Sequence, residues 1–303
     1  MATSTAEATS TPGAPPSAGK PFSVTPLDAP LGCRIDGVDF GAASGPGPDE
    51  IAAIRQAFLD HQLVHFPAQS LDEDALVRLT HIFGEPIVHY VGEYLDPEFP
   101  EIMRLSNNSV DGKPLGSPNN GINWHSDQIF RERPVRATLL YGVITPETSG
   151  GDTLFSNMYL AWDALEPELR ERLEGLQAVH SFVTSYERNY IRARKLSEQE
   201  KADNPDVAHP VARTHPDTGR KALFVDPDSV KRIEGVDAEE NARLMARLFA
   251  HVEDPDFVYR HHWQAGDLVV WDNRCLMHRA TGYDEGAETR LMWRTQTEGE
   301  KPV

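Results

Sequence analysis

Cysteine is nearly absent: the 303-residue chain carries two, Cys33 and Cys275. A pair this far apart forms neither a closely spaced metal motif nor a disulfide framework, which points by default to a reducing cytoplasm. Cys275 reads as a small buried hydrophobe. Long apolar runs are also missing. No stretch approaches the roughly 20 apolar residues that a membrane-spanning helix needs, so a soluble protein with no membrane partner is expected. Basic blocks are lacking as well. With 47 acidic against 29 basic residues and a formal charge of −18, nucleic acid and anionic membrane surfaces would be repelled. Residues 1–21 have no basic start and no apolar core, which excludes a secretory signal. Rich in Ala, Ser, Thr and Pro, they read as a disordered tail.

Residues 22–303 read as a single domain. Apolar residues Ile51, Ile54, Phe58 and Leu59 recur at helical spacing, and a second helix is expected from Asp72 to Phe83, ended by Gly84. The middle is rich in strand candidates, EPIVHYV, EIMRLSN, INWHSDQIF, RATLLYGVIT and DTLFSN, separated by Gly, Pro, Asn and Asp clusters. Residues 158–174 look helical and LQAVHSFVTSY looks extended. The polar stretch at 185–206 reads either as a mobile lid or as a plain surface insertion. HPVARTHPDTGRKALFV fits a hairpin, and a helix is expected at 239–252. Four strands, DFVYRHHW, GDLVVWDN, CLMHRAT and TRLMWRTQT, close the chain. Many short strands with a few helices predict a β-rich α+β fold, a barrel or double-sheet jelly roll rather than alternating βα units.

His125 and Asp127 are separated by one serine in NWHSDQIF. In a strand, alternate side chains share a face, so an imidazole and a carboxylate could grip one ion. Alone, such a pair is most often structural. His278, in a strand candidate following Trp271-Asp272-Asn273, makes a third ligand available. Two histidines and a carboxylate with open positions suit a non-haem Fe(II) that activates O₂, although a zinc hydrolase uses similar ligands. Arg290 and Arg294 share a face by period-two alternation. Buried arginines need anionic partners, and by spacing alone an internal salt bridge is slightly favoured. For His180, His209, His215, His261 and His262 the structural reading prevails, with at most one of the adjacent pair pointing inward. Trp263, Trp271 and Trp293 read as core.

From about Phe22 to the C-terminus, NWHSD, GGDTLFSN, HPVARTHPDTGRKALFV, WDNRCLMHRAT and RLMWRTQ, in this order, resemble the taurine dioxygenase-like family of Fe(II)- and 2-oxoglutarate-dependent oxygenases. That resemblance implies a double-stranded β-helix, or distorted jelly roll, with flanking helices. It implies Fe(II) on His125, Asp127 and His278, and 2-oxoglutarate held through its distal carboxylate by Thr153 and Arg290. Arg294, His89, Phe182 and Phe224 would face the substrate. The iron centre itself would be catalytic, consuming O₂ and 2-oxoglutarate, releasing succinate and CO₂, and leaving a hydroxyl on the substrate. Asp127 implies hydroxylation, because halogenating relatives lack the carboxylate. The family also implies a homo-oligomer. An asparagine and a tyrosine found in taurine-acting members fall near Gly121 and Gly92 here, which argues against taurine itself. The expected substrate is a small organic anion, a sulfonate, sulfate ester or carboxylate. A biosynthetic oxygenase tailoring an amino-acid-like metabolite, a non-catalytic binding protein on the same fold and a zinc hydrolase are the alternatives.

Overall fold

The computed structural model describes residues 21–42, 44–89, 94–110, 113–116, 121–148, 150–189 and 195–303. The expected tail, Pro21 excepted, lies outside them, as do residues 190–194 in the middle of the expected lid and Gly92. Among the described residues, no helix is long and apolar enough to cross a membrane.

A seven-stranded sheet runs in spatial order β1 (Ser23–Pro26), β2 (Cys33–Asp36), β3 (Leu63–Phe66), β15 (Leu268–Asp272), β7 (Ala137–Ile144), β17 (Leu291–Gln296) and β4 (Met103–Ser106). Its neighbours pair antiparallel except β2 and β3. A three-stranded sheet, β14 (Val258–His261), β8 (Thr153–Asn157) and β16 (Leu276–Ala280), lies opposite, and smaller sheets pair β5 (Ser109–Val110) with β6 (Lys113–Pro114), β9 (Gln177–His180) with β10 (Val207–Pro210) and β13 (Val230–Ile233), and β11 (Ala212–Thr214) with β12 (Lys221–Leu223). The two meet where Phe155 of β8 packs edge-on against Trp271 of β15, ring centroids 5.3 Å apart.

Strand β7, ATLLYGVI, does not alternate apolar with polar because both its faces are covered. Leu140 joins the core between the sheets, while Leu139 and Tyr141 join a second core on the far face. That far core is closed by helices α1 (Pro48–His61), through Ile54 and Phe58, and α2 (Glu73–Thr80), through Leu76 and Leu79. Helix α2 starts where expected: the side chain of Asp72 accepts from Ala75 N at 2.7 Å, the N-cap device that satisfies an orphan donor.

Several local expectations are corrected. The helix expected over 158–174 is two, α3 (Met158–Asp163) and α4 (Pro167–Leu173); Pro167 cannot donate inside a helix and so opens the second. LQAVHSFVTSY is strand only over β9 (Gln177–His180) and then becomes helix α5 (Phe182–Asn189). EPIVHYV contributes one isolated bridge, Pro86 to Thr297, among its described residues. Most consequentially, INWHSDQIF is no strand. His125 makes a lone bridge to His278, and a turn follows in which Ile129 N donates to Ser126 O and Gln128 takes a φ of 53°.

Candidate active site

His125 and Asp127 therefore converge without the pleat. The chain is pinned to β16 by reciprocal backbone bonds, His125 N to His278 O at 3.0 Å and His278 N to His125 O at 2.9 Å, which sets the two imidazoles 4.2 Å apart between ring centroids. Immediately afterwards the chain turns on partners from elsewhere: Ser126 N donates to Asp226 at 3.1 Å and Asp127 N to Asn273 Oδ1 at 3.2 Å. One ligand atom from each of His125, Asp127 and His278 lies within 4.8 Å of the others. Asp127 Oδ1 is 3.9 Å from His125 Nε2, and its Oδ2 is 3.8 Å from His278 Nε2.

Each side chain is held. His125 Nδ1 faces Asn123 O at 2.8 Å, leaving Nε2 for the cluster. Asp127 Oδ2 accepts from Thr138 Oγ1 at 2.6 Å. That hydroxyl in turn accepts from Asn273 Nδ2 at 2.9 Å, and Asn273 Oδ1 also takes the Trp271 indole proton at 3.1 Å. His278 is oriented by rings rather than by a hydrogen bond: Trp271 lies at 4.6 Å, and Nδ1 has no partner among the described residues. Burial alone would raise the Asp127 carboxyl, but His278, Arg294, His125 and the Thr138 hydroxyl hold it far below its ordinary range. Burial pushes His278 down to about 3, with His125 adding to the effect. The cluster thus presents an ionised carboxylate and a neutral His278 imidazole, the forms in which such groups ligate metal.

The cavity over this cluster is also lined by Thr153, Arg290, Arg294 and His89. Arg290 sits just before β17, fixed by its backbone: its N donates to Asn107 Oδ1 at 2.9 Å and its O accepts from Ser106 Oγ at 2.8 Å. No carboxylate of a described residue pairs with it, and its Nε is sealed from water without a partner. Burial lowers its guanidinium to about 10. The salt bridge favoured by spacing is thus absent at Arg290. Arg294 does approach a carboxylate, with Nη1 3.7 Å from Asp127 Oδ1. Thr153 opens β8 after Gly150 and Gly151, both at positive φ; a Cβ on Gly150 would lie 2.2 Å from Gly282 O, so the loop that presents Thr153 requires glycine there.

A family model described as "Taurine catabolism dioxygenase TauD, TfdA family" matches residues 23–296. The chain belongs to this family. As a member of it, the chain is a non-haem iron, 2-oxoglutarate-dependent dioxygenase that uses O₂. The alpha-ketoglutarate-dependent 2,4-dichlorophenoxyacetate dioxygenase of Cupriavidus pinatubonensis is 34% identical over 277 residues, 88% of this chain and 94% of that protein. The alpha-ketoglutarate-dependent sulfate ester dioxygenase of Pseudomonas putida is 32% identical, covering 93% of this chain and 91% of its own length. The crystal structure of AAD-2 in complex with Mn(II) and N-oxalylglycine superposes with a TM-score of 0.77 at 27% identity, covering 93% of this chain and 99% of that one.

Two of the residues the family pattern suggested for substrate are not on the cavity wall. Phe182 stands one layer behind, packed on the wall residue Phe130 at 5.4 Å. Phe224 lies under Arg213, whose guanidinium sits 4.8 Å from its ring centroid. His89 is on the wall, and burial together with the nearby Arg294 lowers it to about 3. The family's sequence pattern also left Trp263 unassigned. Its indole N–H donates to Thr153 Oγ1 at 3.0 Å. Because an indole only donates, the Thr153 hydroxyl proton is left for an acceptor elsewhere.

Proposed function

We propose that this family member hydroxylates a small organic anion with an apolar body. His125, Asp127 and His278 would hold Fe(II); the donor set fits, with two imidazoles and one carboxylate converging beside an open cavity. Arg290 and Thr153 would hold the distal carboxylate of 2-oxoglutarate. The observation that carries this assignment is the buried, unpartnered Nε of Arg290, since a guanidinium fork withdrawn from water is matched by a carboxylate. When bound, the iron and 2-oxoglutarate together supply the oxidation. The two facing sheets are read as the halves of a double-stranded β-helix, with the ligands carried at its open end.

The protein's own part is orientation and exclusion of water. Thr138 keeps Asp127 aimed, Arg290 and Thr153 fix one end of the cosubstrate, and the Trp271 ring shields His278. Arg294 supplies positive charge for the substrate anion, with neutral His89 as a hydrogen-bonding neighbour. Leu105, Phe130 and Leu140 line the same space, which favours a substrate with an apolar portion. Gly121 lines the cavity and carries no side chain, so it offers the substrate no polar group where taurine-acting relatives place an asparagine, which favours a substrate other than taurine. The 2,4-dichlorophenoxyacetate and sulfate ester dioxygenases named above act on substrates that pair an acidic group with an organic body. Substrate-dependent, O₂-dependent succinate formation is expected from a panel of aryloxy- and alkyl-carboxylates, sulfate esters and sulfonates, and it should vanish in Asp127→Ala. Failure of every anion to stimulate succinate release would overturn the reading.

A further inference from the structure

Three clusters of metal-ligating side chains occur among the described residues. One is the active-site set. In a second, His215, Asp272 and Cys275, the carboxylate is already neutralised: Arg274 donates to Asp272 twice, at 2.8 and 2.6 Å. The third differs. His65 of β3, His261 of β14 and Asp267 just before β15 meet at one edge of the space between the two sheets; the charge of Arg34 is felt at Asp267, but its guanidinium is bound to Asp36, and no arginine or lysine of the described residues forms an ion pair with Asp267.

Here each carboxylate oxygen faces one imidazole. His65 Nε2 is 2.9 Å from Asp267 Oδ1, and His261 Nε2 is 3.3 Å from Oδ2. The second contact lies outside hydrogen-bonding geometry, so this Nε2 is buried without a hydrogen-bond partner although His261 is only 2% exposed. Its other nitrogen is spoken for by the Tyr259 hydroxyl at 3.0 Å, and Gln264 N donates to Asp267 Oδ2 at 2.9 Å. Those outer contacts are of the kind that aim the ligands of a metal centre. Trp263 and His65 pack edge-on against the His261 ring at 4.6 and 4.7 Å, which fixes its direction. His65, with 12% of its side chain exposed, gives the cluster a route to solvent.

We propose that His65, His261 and Asp267 form a second divalent metal site, of the zinc type, bridging the large sheet and the small one. Two imidazoles and a carboxylate with a fourth position open toward solvent suit Zn²⁺. The ion would lie between the carboxylate and the two imidazoles, each carboxylate oxygen already facing one ring nitrogen.

The test is a titration of the metal-stripped full chain with Zn²⁺ against a competing chromophoric chelator, in four forms: wild type, Asp127→Ala, His65→Ala and the double variant. Wild type should bind a second equivalent beyond the first. Asp127→Ala should lose one and keep the other, His65→Ala should do the converse, and the double variant should keep neither. Asp267→Asn repeats the His65→Ala arm, and retention of the active-site equivalent in either variant reports an intact fold. A wild-type stoichiometry unaltered by both His65→Ala and Asp267→Asn, or zinc retained by the double variant, would overturn the proposal. Failure of the active-site reading appears separately, as an unaltered stoichiometry in Asp127→Ala.

Discussion

Asp127 is a buried carboxylate kept ionised by its surroundings, and the Thr138 hydroxyl is its direct hydrogen-bond donor. Thr138→Val keeps the shape and removes that donor. A lost outer contact of this kind typically costs about 10- to 100-fold in metal affinity, so Fe(II) binding by anaerobic calorimetry should weaken over that range, and the Asn273 amide left without its acceptor should cost about 1–3 kcal/mol of stability besides. Trp263→Phe removes the indole proton that orients Thr153. A single hydrogen bond contributes about 1 kcal/mol, or roughly fivefold. The KM for 2-oxoglutarate should therefore rise by about that factor with kcat nearly unchanged, as steady-state kinetics would show. At this scale the sequence pointed to the side chains that the structure brings together around the cavity and was silent about what holds them. His125, Asp127, His278, Thr153 and Arg290 stand in short motifs. Thr138 lies in the middle of an apolar strand and Trp263 beside a pair of histidines, and both act on residues distant in the chain, a pairing that no local spacing encodes.

Elements tell a similar story. Strand β7 and the start of helix α2 could be read from the residues of RATLLYGVIT and the stretch beginning at Asp72, because those signals are local, although α2 ends at Thr80 rather than at Phe83. INWHSDQIF could not, since its β-like composition is overruled by tertiary anchors at Asp226, Asn273 and His278. The junction of β8 and α3 carries its own prediction. Asn157 Oδ1 accepts from Tyr159 N and Leu160 N to cap α3, while Nδ2 donates to Pro30 O and Gln62 Oε1. Asn157→Ala removes the cap and leaves buried groups unpaired, which should cost about 2–3 kcal/mol in chemical denaturation. A loss below roughly 0.5 kcal/mol, the range of an ordinary surface change, would contradict this account.

For the whole molecule, buried histidines make stability depend on pH. Burial holds His89, His180 and His278 near 3, against an ordinary value of 6.5. Protons then bind the unfolded chain first, so the stability these groups protect is full above about pH 6.5 and falls as pH drops toward 3. The depressed carboxylates, such as Asp272, add to the loss only below their ordinary 3.8. The melting temperature of the metal-free protein should therefore decline between pH 7 and pH 5, and the decline should shrink in His180→Asn, which lies outside the active site.

On the proposed reading, Arg290 awaits the carboxylate of 2-oxoglutarate beside an iron held by His125, Asp127 and His278. Anaerobic titration of the Fe(II)-loaded protein with 2-oxoglutarate, followed through the charge-transfer absorption of the complex, tests it most directly. Wild type should saturate, and Arg290→Ala should bind about 10- to 100-fold more weakly with its iron retained, the cost of a charge-assisted pair. Equal affinity in the two proteins would contradict the account.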